Sequence, residues 1–422
     1  MSVSNPHKLL SDEQIVLDSI APRIADVTQT LLAWSQINSG SGNPDGLGRM
    51  RRALEDYFSI LPGEISEPEL TNREIVAANG EKKQQSFEPA MQLVVRPDAP
   101  IQLVLTGHYD TVFPADSHFQ KPVTIDEDTV NGPGVADMKG GILVMAEALR
   151  AFESFPQKDQ IGYSVLLSPD EEIGSPGSAP LLMELGRKSD VGLTYEPALA
   201  DGSLAGARKG SGNFALIIRG KAAHAGREHH LGRNAISAMA EFTLGLDALN
   251  GKRNGVTFNM AKIDGGGALN VVPDLAIGRF NVRMLETEDM DWISRKLDEL
   301  TAMINSKDGI SAELTGGFTR PPKPMAPANA MVFDWVKSAG ALLGQSIAWA
   351  PSGGVCEGNN LWASGCPNVD TLGVRGGAIH SDQEFIKLSS LLERIQLSTL
   401  ILMKLATGEF DAKAAKALAG QQ

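Results

Sequence analysis

The first candidate for chemistry is a histidine and an aspartate spaced two residues apart. His108 and Asp110 lie in the segment LTGHYDTVFP, directly after the apolar residues 101–105. If those residues form a strand, the pair lies at its carboxyl end, where open α/β sheets usually place their sites, and both side chains face the same way. The two side chains could therefore act together, although a lone His-x-Asp pair also has many structural explanations.

Acidic residues occur in two further segments that could carry a site. Asp137 lies among glycines in NGPGVADMKGG, just before an apolar helical pattern. Glycines allow backbone conformations barred to other residues and could hold the carboxylate at an unusual angle; alternatively, Asp137 caps the helix. Asp170, Glu171 and Glu172 follow another strand-like run. Three adjacent carboxylates are easier to accommodate beside cations, and a solvated loop is the alternative.

Two single residues extend this set. Glu196 follows the strand-like run 191–195, and His380 follows a pair of glycines in RGGAIHSDQEF. With His108, Asp137 and the acidic cluster, they offer imidazole and carboxylate ligands without thiolate, which suit Zn²⁺, with Mn²⁺ or Co²⁺ as alternatives. Two such ions could activate a water and polarise a carbonyl, with a spare glutamate as general base. The sequence therefore predicts a two-metal hydrolase.

The elements that must position these residues alternate between strands and helices. Short apolar runs rich in branched residues recur at 92–95, 101–106, 163–167 and 191–195. Helical patterns between them indicate an α/β fold with a largely parallel sheet flanked by helices. At the N-terminus, the apolar spacing predicts one helix from about residue 11 to about residue 36. Residues 411–422 are expected to be frayed.

A different pattern fills about residues 210–314. Its expected order is strand, helix, strand, strand, helix, strand, which is the ferredoxin-like order. The proline-rich segment 320–324 follows as a linker, and helical patterns then resume. The sequence therefore predicts a domain made of residues 1–208 and 323–422, interrupted by an inserted α+β domain at residues 209–322.

Composition limits the partners of the chain. Its 422 residues include 38 Lys and Arg against 51 Asp and Glu, a net charge of −13, with 42% hydrophobic residues. This is the composition of a folded protein, and no basic cluster is available to bind nucleic acid. The two cysteines, Cys356 and Cys366, make no disulfide framework, and neither a signal peptide nor a membrane span is recognisable. We expect a cytoplasmic protein that does not bind nucleic acid or membranes.

The motifs GHYDTV, NGPGVADMKGG, DEEIGS, YEP, KAAHAG and GGAIHSDQEF together resemble one known family. This is the dinuclear zinc peptidase and aminoacylase family, which contains carboxypeptidase G, succinyl-diaminopimelate desuccinylase, acetylornithine deacetylase and aminoacylase. The resemblance covers roughly residues 100–400 in the same order. It implies a zinc-peptidase-like catalytic domain, an inserted ferredoxin-like lid domain that dimerises, and a homodimer.

The resemblance also implies a role for each ligand. His108 and Glu196 would bind one zinc ion, Glu172 and His380 would bind the second, and Asp137 would bridge the two. These are the five metal ligands expected for two divalent ions.

The remaining catalytic roles follow from the same resemblance. Asp110 would orient His108, and Glu171 would act first as general base toward water and then as general acid toward the leaving amine. His224, in KAAHAG, would reach the other subunit's site and stabilise the oxyanion. Asn270 and Arg283 would hold the free carboxylate of the substrate.

One segment departs from the family pattern. Where many relatives have Ser or Thr followed by Asp, this chain has Cys356 and Glu357. We expect this loop to shape the substrate pocket, with Cys356 as a pocket-wall thiol and not a nucleophile, since no motif supplies it with a base. The departure puts a simple transfer of specificity in doubt.

The main functional hypothesis is a two-metal amidohydrolase that releases a C-terminal amino acid from an N-acyl amino acid or peptide, as carboxypeptidase G does. Glutamate at position 196 favours the carboxypeptidase-like members modestly. An N-acyl amino acid deacylase or a dipeptidase is the alternative, and a catalytically silent binding protein is a remote one. A dehydrogenase is disfavoured because no G-x-G-x-x-G follows a first strand.

Overall fold

The computed structural model describes residues 8–420. The larger part of the protein is built on a mixed sheet. Six strands form it, in the spatial order Glu64–Ser66, Met91–Val95, Ile161–Ser168, Ile101–His108, Val191–Thr194 and Asn368–Val369. The last four run parallel to one another, whereas Met91–Val95 runs antiparallel to both of its neighbours. The predicted mixed, largely parallel sheet is confirmed.

Helices cover both faces of this sheet. On the central strand, Leu103 and Leu105 belong to the main hydrophobic core, whereas Val104 belongs to a second apolar cluster that includes Leu182 and Leu361. Alternation along the strand thus sends side chains to two buried faces, as expected for a sheet covered on both sides. The helices of this part are Ser11–Asp18, Ile24–Ser35, Pro44–Phe58, Lys139–Phe152, Ala179–Lys188, Pro327–Leu342, Glu357–Ala363, Ser389–Ala406 and Ala412–Ala419.

Two local predictions are wrong. The single N-terminal helix is divided by a 3₁₀ turn at Ala21–Arg23, because Pro22 has no N–H and cannot continue a helix. At the other end, Ala412–Ala419 is a helix instead of a frayed tail. Its N-terminus is capped by Asp411, and it packs against Pro327–Leu342, so tertiary contacts stabilise a short segment.

The inserted part has the predicted strand and helix order. Its four strands are arranged Thr257–Gly265, Leu275–Met284, Gly210–Arg219 and Ser311–Arg320, all antiparallel. The helices Ala235–Asp247 and Glu288–Asn305 cover one face and share a separate hydrophobic core with the sheet. Numbered along the chain, the strand order is 2-3-1-4, the ferredoxin-like arrangement. The domain boundaries at 208/209 and 322/323 stay a prediction.

Smaller elements complete the described chain. They are the hairpin Arg73–Val76 with Lys82–Gln85, the pair Leu204–Arg208 with Trp349–Ser352, and a four-stranded sheet of Gly376–Gly377, Phe385–Lys387, Thr129–Asn131 and Val123–Thr124. The four-stranded sheet holds the loop before His380 against the loop before Asp137. Within residues 8–420, no helix is both long and apolar enough to cross a membrane.

Candidate metal centre and active site

The candidate ligands meet at one edge of the large sheet. The strand ending at His108 lies between the strands ending at Ser168 and Thr194, and all three run parallel. Their carboxyl ends therefore bring His108 close to Glu171, Glu172 and Glu196, which follow in the next few residues. This arrangement agrees with the position expected from the strand pattern.

Asp137 lies between the two histidines. Its Oδ1 is 3.1 Å from Nε2 of His108, and its Oδ2 is 3.2 Å from Nε2 of His380. His380 Nε2 is also 3.2 Å from Glu172 Oε2, while His108 Nε2 is 3.8 Å from Glu196 Oε1. The structure thus brings all five predicted ligands together, with one carboxylate placed between two histidine–glutamate pairs.

The donors present fit a pair of divalent ions. His108, Asp137, Glu171 and Glu196 are at least nine-tenths buried, and Oε1 of Glu196 has no hydrogen-bond partner among the described residues. Burial, together with the charge of Asp137, raises the pKa of Glu172 to about 8. Buried carboxylates this close to one another are unfavourable unless cations offset their charge, and imidazole and carboxylate oxygen are ligands for Zn²⁺.

The alternative explanations for the acidic motifs do not hold. Met138 occupies the N-cap position of the helix Lys139–Phe152 and no side chain caps it, so Asp137 is not its cap. The acidic segment 170–172 is not a solvated loop, because Asp170 is fully buried and accepts hydrogen bonds from the backbone N–H groups of Gly177 and Ser178. Asp170 therefore shapes the turn that carries the two glutamates.

Asp110 connects His108 to the glutamate loop. Its Oδ1 lies 3.3 Å from Nδ1 of His108. The same carboxylate accepts the backbone N–H groups of Glu171 and Glu172, each at 3.2 Å, and the hydroxyl of Ser41 at 2.7 Å. Asp110 can therefore orient the ligand histidine, as the resemblance implies, and it also fixes the loop that carries Glu171.

Arg320 is a site residue that the sequence analysis missed. Its Nη2 lies 2.7 Å from Glu171 Oε1 and donates to the Glu171 carbonyl and to the Ser175 hydroxyl. The guanidinium is buried, although it belongs to the last strand of the inserted part. The sequence predicts that this residue begins the proline-rich linker, but the strand that was expected to end near residue 314 extends to Arg320.

Glu384 is the second residue that was missed. Its carboxylate accepts the backbone N–H groups of Gly134, Ala136 and Asp137 at 2.9–3.0 Å. These bonds hold the glycine-rich loop against the loop of His380, and burial raises the pKa of Glu384 to about 7. Its sequence signal was an acidic residue four positions after His380.

The inserted part carries the candidate substrate-binding residues Arg283, His224 and Asn270. The structure does not bring all of them to the same place. Arg283 and Arg320 both pair with Ser211, on either side of the strand between them, so their side chains extend from the same face of the sheet. His224 and Asn270 are exposed, and their loops pair through Ala225 N–H and the Asn270 carbonyl. Within residues 8–420, no hydrogen bond or ion pair joins either side chain to the metal ligands.

Cys356 and Glu357 are both buried, whereas the sequence analysis expected an accessible thiol in a pocket wall. Cys356 is 1% exposed, caps the helix Glu357–Ala363, and lies 3.5 Å from an oxygen of Asp370. Burial raises the pKa of its thiol well above the usual value, which agrees with its not being a nucleophile. Glu357 is fully buried and accepts a hydrogen bond from Ser168, so the pair supports the strand end that precedes Glu171.

A sheet edge of this kind, with two imidazoles and a set of buried carboxylates, is typical of a metal-dependent hydrolase. The profile described as Peptidase family M20/M25/M40 matches residues 104–404. The chain belongs to this family.

Individual relatives agree with this assignment. Carboxypeptidase G2 of Pseudomonas sp. (strain RS-16) is 29% identical over 73% of this chain and 74% of that protein. Succinyl-diaminopimelate desuccinylase of Gluconobacter oxydans is 27% identical over 70% of this chain and 80% of that protein. The di-peptidase Dug1p of Saccharomyces cerevisiae has a similar fold, with a TM-score of 0.69 at 15% identity over 94% of this chain and 99% of that one.

Proposed function

We propose that this hydrolase releases a C-terminal amino acid from N-acyl amino acids or peptides, in the manner of carboxypeptidase G. The observation that carries the proposal is the placement of Arg283 on the same face of the inserted sheet as Arg320, whose guanidinium group contacts Glu171. Nη1 of Arg283 is buried without a hydrogen-bond partner among the described residues. A substrate carboxylate would supply that partner, because a guanidinium group binds a carboxylate through paired hydrogen bonds.

The metal ligands have the roles implied by the family resemblance. His108 and Glu196 would hold one ion, Glu172 and His380 would hold the other, and Asp137 would contribute to both; the short distances from Asp137 to both histidines support this arrangement. Two divalent ions bound there, Zn²⁺ or alternatively Mn²⁺ or Co²⁺, would lower the pKa of a water and polarise the amide carbonyl.

Glu171 transfers the protons. Its carboxylate takes a proton from the attacking water, and the oxygen adds to the amide carbon. The same carboxyl group then returns the proton to the leaving nitrogen as the carbon–nitrogen bond breaks. The hydrogen bonds that Asp110 accepts from the backbone N–H groups of this loop, and the contact of Arg320 with Glu171, support a fixed position for the carboxylate.

His224 and Asn270 act on the active site of a second subunit. Both are exposed, with their loops joined to each other and not to the metal ligands of their own chain. In a homodimer, the imidazole of His224 donates a hydrogen bond to the developing oxyanion, and Asn270 binds the substrate carboxylate beside Arg283. A cytoplasmic location also stays a prediction.

The alternative is an N-acyl amino acid deacylase or a dipeptidase, which would use the same metal centre. The similarity to a succinyl-diaminopimelate desuccinylase favours keeping this alternative. A silent binding protein is disfavoured because Glu171 and all five ligand positions are filled.

The test compares matched substrates with the zinc-loaded protein. N-benzoyl-glutamate, its α-carboxamide and several dipeptides are incubated with wild type and with Glu171→Gln, and the released amino acid is quantified. The proposal expects cleavage of the free acid, little cleavage of the carboxamide, and loss of turnover in Glu171→Gln. Equal cleavage of the free acid and the carboxamide would contradict the carboxypeptidase assignment.

A further inference from the structure

The hairpin of residues 73–85 belongs to the N-terminal part of the chain, yet it contacts the inserted part. The carbonyl oxygen of Val76 accepts a hydrogen bond from Arg279 at 2.7 Å, and that of Gly80 accepts one from Arg219 at 3.2 Å. These partners are 203 and 139 positions apart in the chain. The turn of the hairpin is therefore docked on the inserted sheet.

The contacts of the hairpin surround an apolar pair on the face of the inserted sheet opposite its helices. Ile217 and Ile277 pair with each other and are 2% and 0% exposed. Both alternate along their strands with residues of the helix-side core, so they face the other side of the sheet. Glu313, which pairs with Ile217 on the next strand, lies 2.6 Å from Nζ of Lys82. A buried apolar centre with polar contacts around it is typical of a packed interface.

The base of the hairpin packs on the turn that carries the two catalytic-site glutamates. The N–H of Thr71 donates to the carbonyl of Gly177 at 3.3 Å. A Cβ at Gly177 would lie 2.5 Å from a ring carbon of Phe87, so this close packing depends on glycine. The N–H of Gly177 donates in turn to the carboxylate of Asp170 at 2.6 Å. The hairpin thus connects the turn after the glutamates to the inserted sheet.

The docking contact lies far from the place where the chain crosses between the two parts. The crossing segments hydrogen bond to each other at Arg208 and Lys323, so together they can act as a single pivot. Arg219 is at the opposite end of the strand Gly210–Arg219, about 30 Å from the pivot. Arg320, which contacts Glu171, is at the pivot end of the same sheet. Contacts at the far end therefore oppose rotation of the whole inserted part about the crossings.

We infer that the hairpin of residues 73–85 is a brace that fixes the orientation of the inserted part relative to the metal centre, and that it thereby positions Arg283 and Arg320. The consequence for substrate binding rests on the proposed function, in which these arginines bind the substrate carboxylate, whereas the restraint on orientation does not. The hairpin lies outside residues 104–404, the part that the family profile matches. The brace is therefore a feature of this chain that the profile does not describe.

The first variant removes the brace by excision. Arg73 and Gln85 pair across the hairpin, so a two-residue Asn-Gly turn can replace residues 74–84 and rejoin the chain. The excision leaves Thr71 and Phe87, which pack on the turn after the glutamates, in place.

The second variant keeps the hairpin and weakens its docking through charge. Lys82→Glu combined with Arg219→Glu sets negative charge against Glu313 and against the carbonyl oxygen of Gly80. The matched control is Lys83→Glu, since this neighbouring lysine contacts only a residue of the hairpin itself among the described ion pairs.

The orientation is measured as a distance between two spin labels by pulsed electron spin resonance. The labels are attached at Ser59→Cys in the large part and Ser306→Cys in the inserted part, both exposed positions, and labelled chains are diluted with unlabelled ones. The native Cys356 and Cys366 are buried, so the labels react at the introduced thiols. We expect one narrow distance distribution in the labelled parent and in Lys83→Glu, and a broader or shifted one in both brace variants.

Kinetics of the zinc-loaded, unlabelled proteins test the positioning of the arginines. A misplacement of about 1 Å can cost about 100-fold in rate, so kcat/KM for N-benzoyl-glutamate should fall at least about tenfold in both brace variants. The loss should appear mainly in KM, because the arginines bind a carboxylate that does not react, and bound zinc should stay at the wild-type level.

The two measurements fail separately. An unchanged distance distribution in the excision variant would overturn the brace, and if that variant does not fold, the same result in the charge variant would do so. A changed distribution with wild-type kcat/KM would overturn the positioning of the arginines. If wild type cleaves no substrate, the proposed function fails, and the distance measurement still decides whether the hairpin is a brace.

Discussion

Replacing Glu384 tests whether the glycine-rich loop must be held for Asp137 to bind metal. In Glu384→Gln, one amide oxygen can still accept the N–H groups of Ala136 and Asp137, but the amide NH₂ would face the N–H of Gly134. A buried donor left without an acceptor costs about 1–3 kcal/mol, and the remaining bonds weaken because the acceptor is no longer charged. We expect the free energy of unfolding to fall by about 2–4 kcal/mol.

Measuring the metal affinity distinguishes a loss of loop positioning from a general loss of folding stability. Removing a group that orients a metal ligand typically weakens metal binding about 10–100-fold. Zinc affinity is measured by competition with a chromophoric chelator at pH 8, above the pKa of about 7 of Glu384, and unfolding of the chelated protein is measured in urea. The matched control is Glu147→Gln, whose buried carboxylate contacts Arg23 and Tyr57. Glu147→Gln should lower stability without changing zinc affinity, and the same result for Glu384→Gln would refute the positioning role.

Three further predictions concern the chemistry of the site. Glu171→Gln should lower kcat by about 10²–10⁴-fold while metal analysis still finds two ions per chain; a rate near that of wild type would contradict its role as general base. Chelation should abolish amide hydrolysis and lower the Tm, and added Zn²⁺ should restore both, whereas activity that survives chelation would exclude metal-dependent cleavage. His224→Ala should lower kcat by about 10²–10³-fold, and mixed dimers with Glu171→Gln should regain activity if His224 acts across subunits; mixed dimers without activity would contradict that arrangement.

The sequence predicted which residues meet at the sheet edge because its signals are local. His108, Glu171 and Glu196 each follow an apolar run, and parallel strands bring their carboxyl ends to a common edge. The motifs and the strand pattern together therefore predicted the five candidate ligands. The ferredoxin-like order was also predicted, since strand and helix periodicities alternate clearly over those residues.

The residues that the sequence analysis missed act through contacts between distant segments. Arg320 contacts Glu171 across 149 positions, and Glu384 accepts hydrogen bonds from a loop about 250 positions earlier. No spacing rule predicts such pairs, because they depend on how separate elements pack. Cys356 likewise contacts Asp370, a residue 14 positions later that belongs to a different segment.

The position of the arginine pair depends on the two segments that join the inserted part to the large sheet. Arg208 and Lys323 form a backbone hydrogen bond in each direction, at 2.8 and 3.0 Å. The buried carboxylate of Asp370 accepts both side chains, and although burial opposes its ionisation, these two cations lower its pKa to about 2. Since Arg320 precedes Lys323 by three residues, the anchor that fixes both crossings also fixes the guanidinium that contacts Glu171. The contact between Arg320 and Glu171 therefore depends on a buried charge cluster that joins three separate segments of the chain.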